Sequence, residues 1–180
     1  MLNLINDLLD ISAIESGKLV LKTTVVNPTV FFTKYAESAI KLAAVKSIRF
    51  ESVIDPNLSQ AVFDPDRITQ VLDNLVSNAI KFSLPDTTIT LSADTIKNGL
   101  EIRVADQGLG IPRHEIPKLF KPFSRTSVRP TANEKSTGLG LAIVRRIILA
   151  HHGKIRVTSE PGHGSVFIIT LPMTSKPRPK

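Results

Sequence analysis

Residues 66–83 read DRITQVLDNLVSNAIKFS, and this stretch decides the fold. Ile68, Val71, Leu72, Leu75, Val76, Ala79 and Ile80 recur at helical spacing, which predicts one amphipathic helix with that arc turned to a core. Beside the arc runs a second stripe, Gln70, Asn74, Asn78 and Lys81, spaced so that the four stack along one face. Two asparagines one turn apart offer neutral amide oxygens, hard ligands suited to Mg²⁺. A lysine one turn further suits a phosphate. A polar face on a lone helix is most often simply hydrated. Asparagine is a poor helix former, however, so a stripe of amides in a strongly helical segment calls for a second signal.

Three glycine pairs downstream supply it: Asp106-Gln-Gly108-Leu-Gly110, Gly138-Leu-Gly140-Leu141 and Gly162-His-Gly164-Ser165. None extends to GxGxxG, and no GxxxxGK[ST] occurs, so neither a Rossmann site nor a P-loop is supported. Glycine lets backbone come close to a ligand, and N–H groups opening a helix at Gly138–Leu141 form a natural phosphate cradle. Asp106 ends an apolar strand at a glycine turn, where a carboxylate can accept from an exocyclic amine such as that of adenine. It can equally cap a turn.

Asp64-Pro65 starts the striped helix, a capping aspartate with proline at the first helical position. Upstream, Asn27-Pro28 opens another helix to about Lys46, with Val30, Phe31, Ala36, Ile40 and Ala44 as core candidates. Leu19 to Val25 and Arg49 to Ile54 read as strands. Met1, Leu4, Leu8 and Ile11 form one apolar seam on residues 1–15, and Leu2, Ile5 and Leu9 form a second beside it. Two adjacent seams fit a helix packed inside a bundle. Beyond the striped helix, Thr88–Thr95 and Leu100–Ala105 are strands joined near Asn98-Gly99. Asp106 to Thr137 is irregular, of the length expected for a functional lid or disorder. Gly138 to His152 reads as a helix, with Leu141, Val144, Ile147 and Ile148 inward and Gly153 as C-cap. Lys154–Ser159 and Ser165–Leu171 form a closing hairpin. The expected architecture is α+β, a two-layer sandwich with three antiparallel strand pairs, not a doubly wound sheet. Its parts are a helical stump over 1–16, a main domain over 17–172 and a disordered tail over 173–180.

The bulk numbers narrow the chemistry. The 180 residues contain no cysteine, which excludes disulfides, thiolate metal sites and cysteine catalysis. No apolar run reaches the roughly 18 residues of a membrane span. The net charge is +7, of which Lys176, Arg178 and Lys180 carry three, leaving +4 on the body. A modest positive field suits a nucleotide. With aromatics at 5% and no basic–aromatic interleaving, nucleic acid is not an expected partner.

DRITQVLDNLVSNAIKFS resembles the N box of sensor histidine kinases. DQGLGI is similar to their G1 box, LFKPFSR to their F box, STGLGLAIVRRIILAHHG to their G2 box and GHGS to their last glycine motif. The order matches the ATP-binding domain shared with gyrase, Hsp90 and MutL, and LINDLLDISAIESGKL resembles the end of the second dimerisation and phosphotransfer helix. The resemblance covers about residues 4–172. It implies a Bergerat-type fold that binds ATP and Mg²⁺ and passes the γ-phosphate to a histidine. Asn78 would be the principal Mg²⁺ ligand, supported by Asn74. Lys81 would approach the phosphates, and Phe82 would lie near the nucleotide. Asp106 would receive the adenine amine, with Gly108 and Gly110 allowing the approach, and Ile111 would also contact the nucleotide. Arg125 would reach the γ-phosphate, and Thr137, Gly138, Leu139, Gly140 and Leu141 would hold the phosphates. Phe120 and Phe123 would anchor a lid, and Ser165 would border the adenine.

The same resemblance implies a response regulator and the chain's own dimerisation helices as partners. It implies a homodimer at full length with this stretch monomeric, a cytoplasmic location, and membrane attachment only through upstream regions. Two departures matter. No histidine fits the phosphoacceptor: His114 and His163 lie in loops, and His151 and His152 close a helix, where positive charge suits the dipole. The acceptor is therefore expected upstream, and this stretch carries no catalytic residue of its own. Ser136 and Lys121 stand where a glycine and an acid are common. The alternatives are a nucleotide-binding scaffold without kinase chemistry, or another serine kinase or ATPase of the superfamily.

Overall fold

The computed structural model describes residues 19–97, 99–124, 126–132 and 137–172. Among them are three α-helices: α1 (Pro28–Ala44), α2 (Pro65–Phe82) and α3 (Gly140–Ala150). The strands are β1 (Thr24–Val26), β2 (Arg49–Ile54), β3 (Ala61–Phe63), β4 (Thr88–Ile96), β5 (Gly99–Asp106), β6 (Lys154–Glu160) and β7 (Gly164–Pro172). The expected helix over 1–16, the tail over 173–180, Asn98, Arg125 and Ser136 lie outside the described residues.

Five strands form one sheet in the order β2-β4-β5-β7-β6, and β1 pairs with β3 in a separate ribbon. Leu100, Ile102 and Val104 of β5 alternate inward with Ile89, Leu91 and Ala93 of β4 and Phe167, Ile169 and Leu171 of β7. The three helices lie on this sheet, and their apolar arcs close a single core with it. Burying each large aliphatic side chain there stabilises by about 1.5–3 kcal/mol. The expected two-layer α+β sandwich is present.

Several local expectations are corrected. The β2–β4 pair is parallel, with Phe50 opposite Ile89. Parallel neighbours need a crossover, and here the chain passes through β3 and α2 to make it. Leu19 and Leu21 fall outside β1, whose partner β3 is only three residues long, too short to show an alternation. On α1 the inner face is Phe32, Ala36, Ala39 and Ala43, whereas Val30 and Ile40 are 63% and 47% exposed and Ala44 is exposed. A stripe made mostly of alanines carries little apolar signal but lets a helix sit close to a sheet. Phe31 is half-buried and meets Phe32 and Phe63 edge-on, at centroid distances of 5.1 and 5.3 Å.

Helix α2 is as expected, with Ile68, Val71, Leu72, Leu75, Val76 and Ala79 buried. Ile80, placed on the same arc, is only partly buried. Asp64 Oδ1 accepts from the N–H groups of Asp66 and Arg67, each at 3.1 Å, while its Oδ2 accepts from Lys22 N–H at 2.7 Å. Helix α3 starts two residues later than expected, because Gly138 sits at φ +73° and Leu139 takes the N-cap position. At its other end His152, at φ +58°, takes the left-handed position assigned to Gly153. Gly153 donates to Ile148 O at 2.9 Å instead, where a Cβ would press on Thr170 O.

His151 is not a charged partner for the helix dipole. It is buried, its Nδ1–H donates to Ile147 O at 2.8 Å, and its Nε2 accepts from Asp64 N–H at 3.0 Å. Backbone partners of opposite kind fix one neutral tautomer. Burial pushes its pKa down, aided by His152, against the opposing pull of Ile147 O and Asp64.

Candidate functional site

The polar stripe of α2 runs between two other elements. At its upstream end Asn74 Nδ2 donates to Gln70 O at 3.0 Å, leaving Oδ1 directed at Gly140, where a Cβ would collide with it. Gln70 Oε1 accepts from Arg67 at 2.8 Å. Glycine at the first position of α3 therefore lets the two helices close on each other at Asn74. At the downstream end Phe82 O accepts from Leu109 N–H at 3.0 Å, which brings the turn after β5 against the end of α2. The rise of 1.5 Å per residue puts Asn74 and Phe82 about 12 Å apart along the axis. Asn78 and Lys81, both half-buried, lie between them.

Asp106, half-buried at the end of β5, stands opposite Ser165 of β7. Its Oδ1 accepts from Gly108 N–H at 2.9 Å and Ser165 N–H at 3.2 Å. Burial raises its pKa, and those two bonds offset the rise only in part. With Oδ1 fixed twice over, Oδ2 is the oxygen available to an outside donor.

Ser159 of β6 organises this end, and the sequence reading did not single it out. Its hydroxyl donates to Gly164 O at 2.7 Å, pairs with Ser165 Oγ at 2.9 Å and accepts from Ile111 N–H at 2.8 Å. A serine in an alternating strand carries no mark of such a role. The glycines here approach protein backbone. A Cβ on Gly108 would press on Phe82 O, one on Gly110 (φ +69°) on Glu160 O, and one on Gly164 (φ +83°) on Asp106 O. The Gly162 N–H donates to Leu109 O at 2.8 Å, which completes the stitching.

The start of α3 is finished differently. Leu139 occupies its N-cap without a side-chain hydrogen bond, and Thr137 Oγ1 accepts from Leu139 N–H at 3.3 Å. The Leu139 side chain is 1% exposed and belongs to the core, and Leu141 is partly buried. Phe120 packs against the core. Phe123, expected as a second anchor, is 65% exposed at φ +58°, and Gly138 passes close to its backbone. Among the described residues no three His, Cys, Asp or Glu side chains cluster as a metal cage.

Together a helix-borne amide stripe, a half-buried strand-end carboxylate and an uncapped helix start define a class of nucleotide-handling domain. Residues 63–175 match the family described as histidine kinase-, DNA gyrase B-, and HSP90-like ATPase, and the chain belongs to it. It is 38% identical over 175 residues to sensor histidine kinase RcsC of Escherichia coli strain K12, covering 96% of this chain and 18% of that protein. The chain thus spans less than a fifth of that relative. Full-length ShkA, solved in complex with AMPPNP, superposes with a TM-score of 0.84 at 29% identity, over 95% of this chain and 35% of that one. The catalytic domain of histidine kinase ThkA gives 0.73 at 30% identity, over 85% and 99%. ThkA in complex with response regulator protein TrrA gives 0.76 at 26% identity, over 98% and 50%.

Proposed function

We propose that the chain is the ATP-binding catalytic part of a two-component sensor histidine kinase. It positions Mg²⁺·ATP so that the γ-phosphate reaches a histidine on a helix of a longer protein, from which a response regulator receives it. The observation that carries this reading is Asp106, whose doubly bonded Oδ1 leaves one oxygen for an adenine amine, at the far end of the α2 stripe from the uncapped start of α3. Kinship with RcsC and ThkA supports the reaction, and the titles of the ShkA and ThkA complexes support nucleotide and regulator as partners.

Each residue has a task that is mostly placement and charge neutralisation. Asp106, steadied by Ser165 and Gly108, orients the base. Asn78 offers its amide oxygen to the metal, with Asn74 beside it, and Lys81 meets the phosphates. The N–H groups of Gly140 and Leu141 donate to the phosphate oxygens at the positive end of α3. Arg125 is assigned to the γ-phosphate. When bound, Mg²⁺ neutralises phosphate charge.

Calorimetry with Mg·ATP tests the site. Asp106→Asn should weaken binding at least tenfold, about what one hydrogen bond to a charged group contributes. Wild-type affinity should also decline as pH falls toward the raised Asp106 pKa, since the charged carboxylate is the stronger acceptor for the amine. Unchanged affinity in both Asp106→Asn and Asn78→Ala would remove the assignment. Phosphoryl transfer from labelled ATP to the acceptor helix of the longer protein then separates a kinase from a scaffold that only binds.

A further inference from the structure

We propose that Lys46 is a positioning residue for the nucleotide site, acting with Thr131 to fasten the segment between β5 and α3 onto the carbonyl end of α2. The proposal rests on the nucleotide reading above.

The last carbonyls of a helix lack intrahelical partners. Ser83, which follows α2, is extended at φ −98° and ψ 148°, so no left-handed turn folds back to satisfy them. Lys46, in the turn after α1, fills that place. Its ammonium donates to Ile80 O at 2.8 Å, Lys81 O at 3.3 Å and Thr131 Oγ1 at 2.7 Å. An ammonium is a donor only, so it suits carbonyl and hydroxyl oxygens such as these, and a cation at a helix C-terminus is favoured by the dipole.

Thr131 completes the node. Its N–H donates to Lys81 O at 3.0 Å, and its hydroxyl is shared between Ser83 O at 2.8 Å and Lys81 O at 3.1 Å. Lys81 and Phe82, whose side chains belong to the site, therefore leave a stretch of backbone that Lys46 and Thr131 hold from outside it. The Asp106 end has its own supports in Gly108 and Ser165. Loosening the Lys46 node should disturb the phosphate side and spare the base side.

The 180-residue chain gives the test, by calorimetry with Mg·ATP and with adenosine alongside thermal melting. Lys46→Ala and Thr131→Val should each weaken ATP about tenfold, the size of one lost charged hydrogen bond. The double variant should be no worse than the weaker single one, because the two act as a unit. Thr131→Ser, which keeps the hydroxyl, should bind as wild type, and adenosine affinity should stay within about twofold throughout. A folded Thr131→Val that binds ATP normally overturns the positioning role. Equal losses for ATP and adenosine overturn it too, since a general weakening of the fold would act on both. A wild-type chain that binds neither ligand overturns the nucleotide reading itself, and with it this proposal.

Discussion

The N-termini of α2 and α3 expose the same kind of unpaired N–H groups, and the chain finishes them in opposite ways. At α2 a carboxylate of its own does the work. Asp64, 4% exposed, accepts three backbone N–H groups, and its own N–H is taken by His151 from the far end of α3. At α3 the N-cap is a leucine buried in the core, no side chain caps the turn, and Gly138 and Gly140 flank the opening. Helix starts attract anions whether the anion is built in or borrowed. Where it is built in, the gain is stability. Where it is left out, the same groups remain available to a phosphate.

Three substitutions break or sharpen that contrast. Asp64→Ala should cost about 2–3 kcal/mol, the loss of a cap together with a further backbone bond. Urea denaturation measures it, and the protein that stays folded should bind ATP as before. An ATP loss matching the stability loss would merge the two termini into one function.

His151→Leu should cost about 2 kcal/mol at neutral pH, by leaving the buried Asp64 N–H unpaired and removing the second of two donors to Ile147 O, which keeps the backbone N–H of residue 151. The wild type should also weaken in acid. The folded pKa of His151 lies below its ordinary 6.5, so below that pH the unfolded chain takes up more protons. Stability present above pH 6.5 is then lost as pH falls through the folded pKa. His151→Leu should remove that slope from the urea midpoints, and a slope that persists would place its origin elsewhere.

Thr137→Asp supplies α3 with the carboxylate it lacks. Melting should shift little, while ATP affinity drops about fivefold, the size of a charge interaction at a helix start. Unaltered ATP binding would mean that phosphates do not use this end.

How much of this could be read beforehand depends on distance along the chain. Helix α2 was legible because its period, its cap and its proline are all local. The three glycine pairs were legible as a set. What escaped was non-local or weakly marked. Nothing in an isolated serine at position 159 announces a bond to Ile111, 48 residues away. The parallel pairing of β2 with β4 hinges on a crossover that includes the three-residue β3. The inner face of α1 was misread because alanines look neutral, whereas Val30 and Ile40 look apolar and are exposed. His151 looked like a charge at a helix end until its two backbone partners were visible.

The close fit of Gly108, Gly110 and Gly164 against the carbonyls of Phe82, Glu160 and Asp106 bears on how mutagenesis of this domain is to be interpreted. A methyl group at any of the three forces main chain apart before a visitor is ever involved. A dead alanine variant at these positions consequently diagnoses warped scaffolding, and reveals nothing about what the missing guest would have touched.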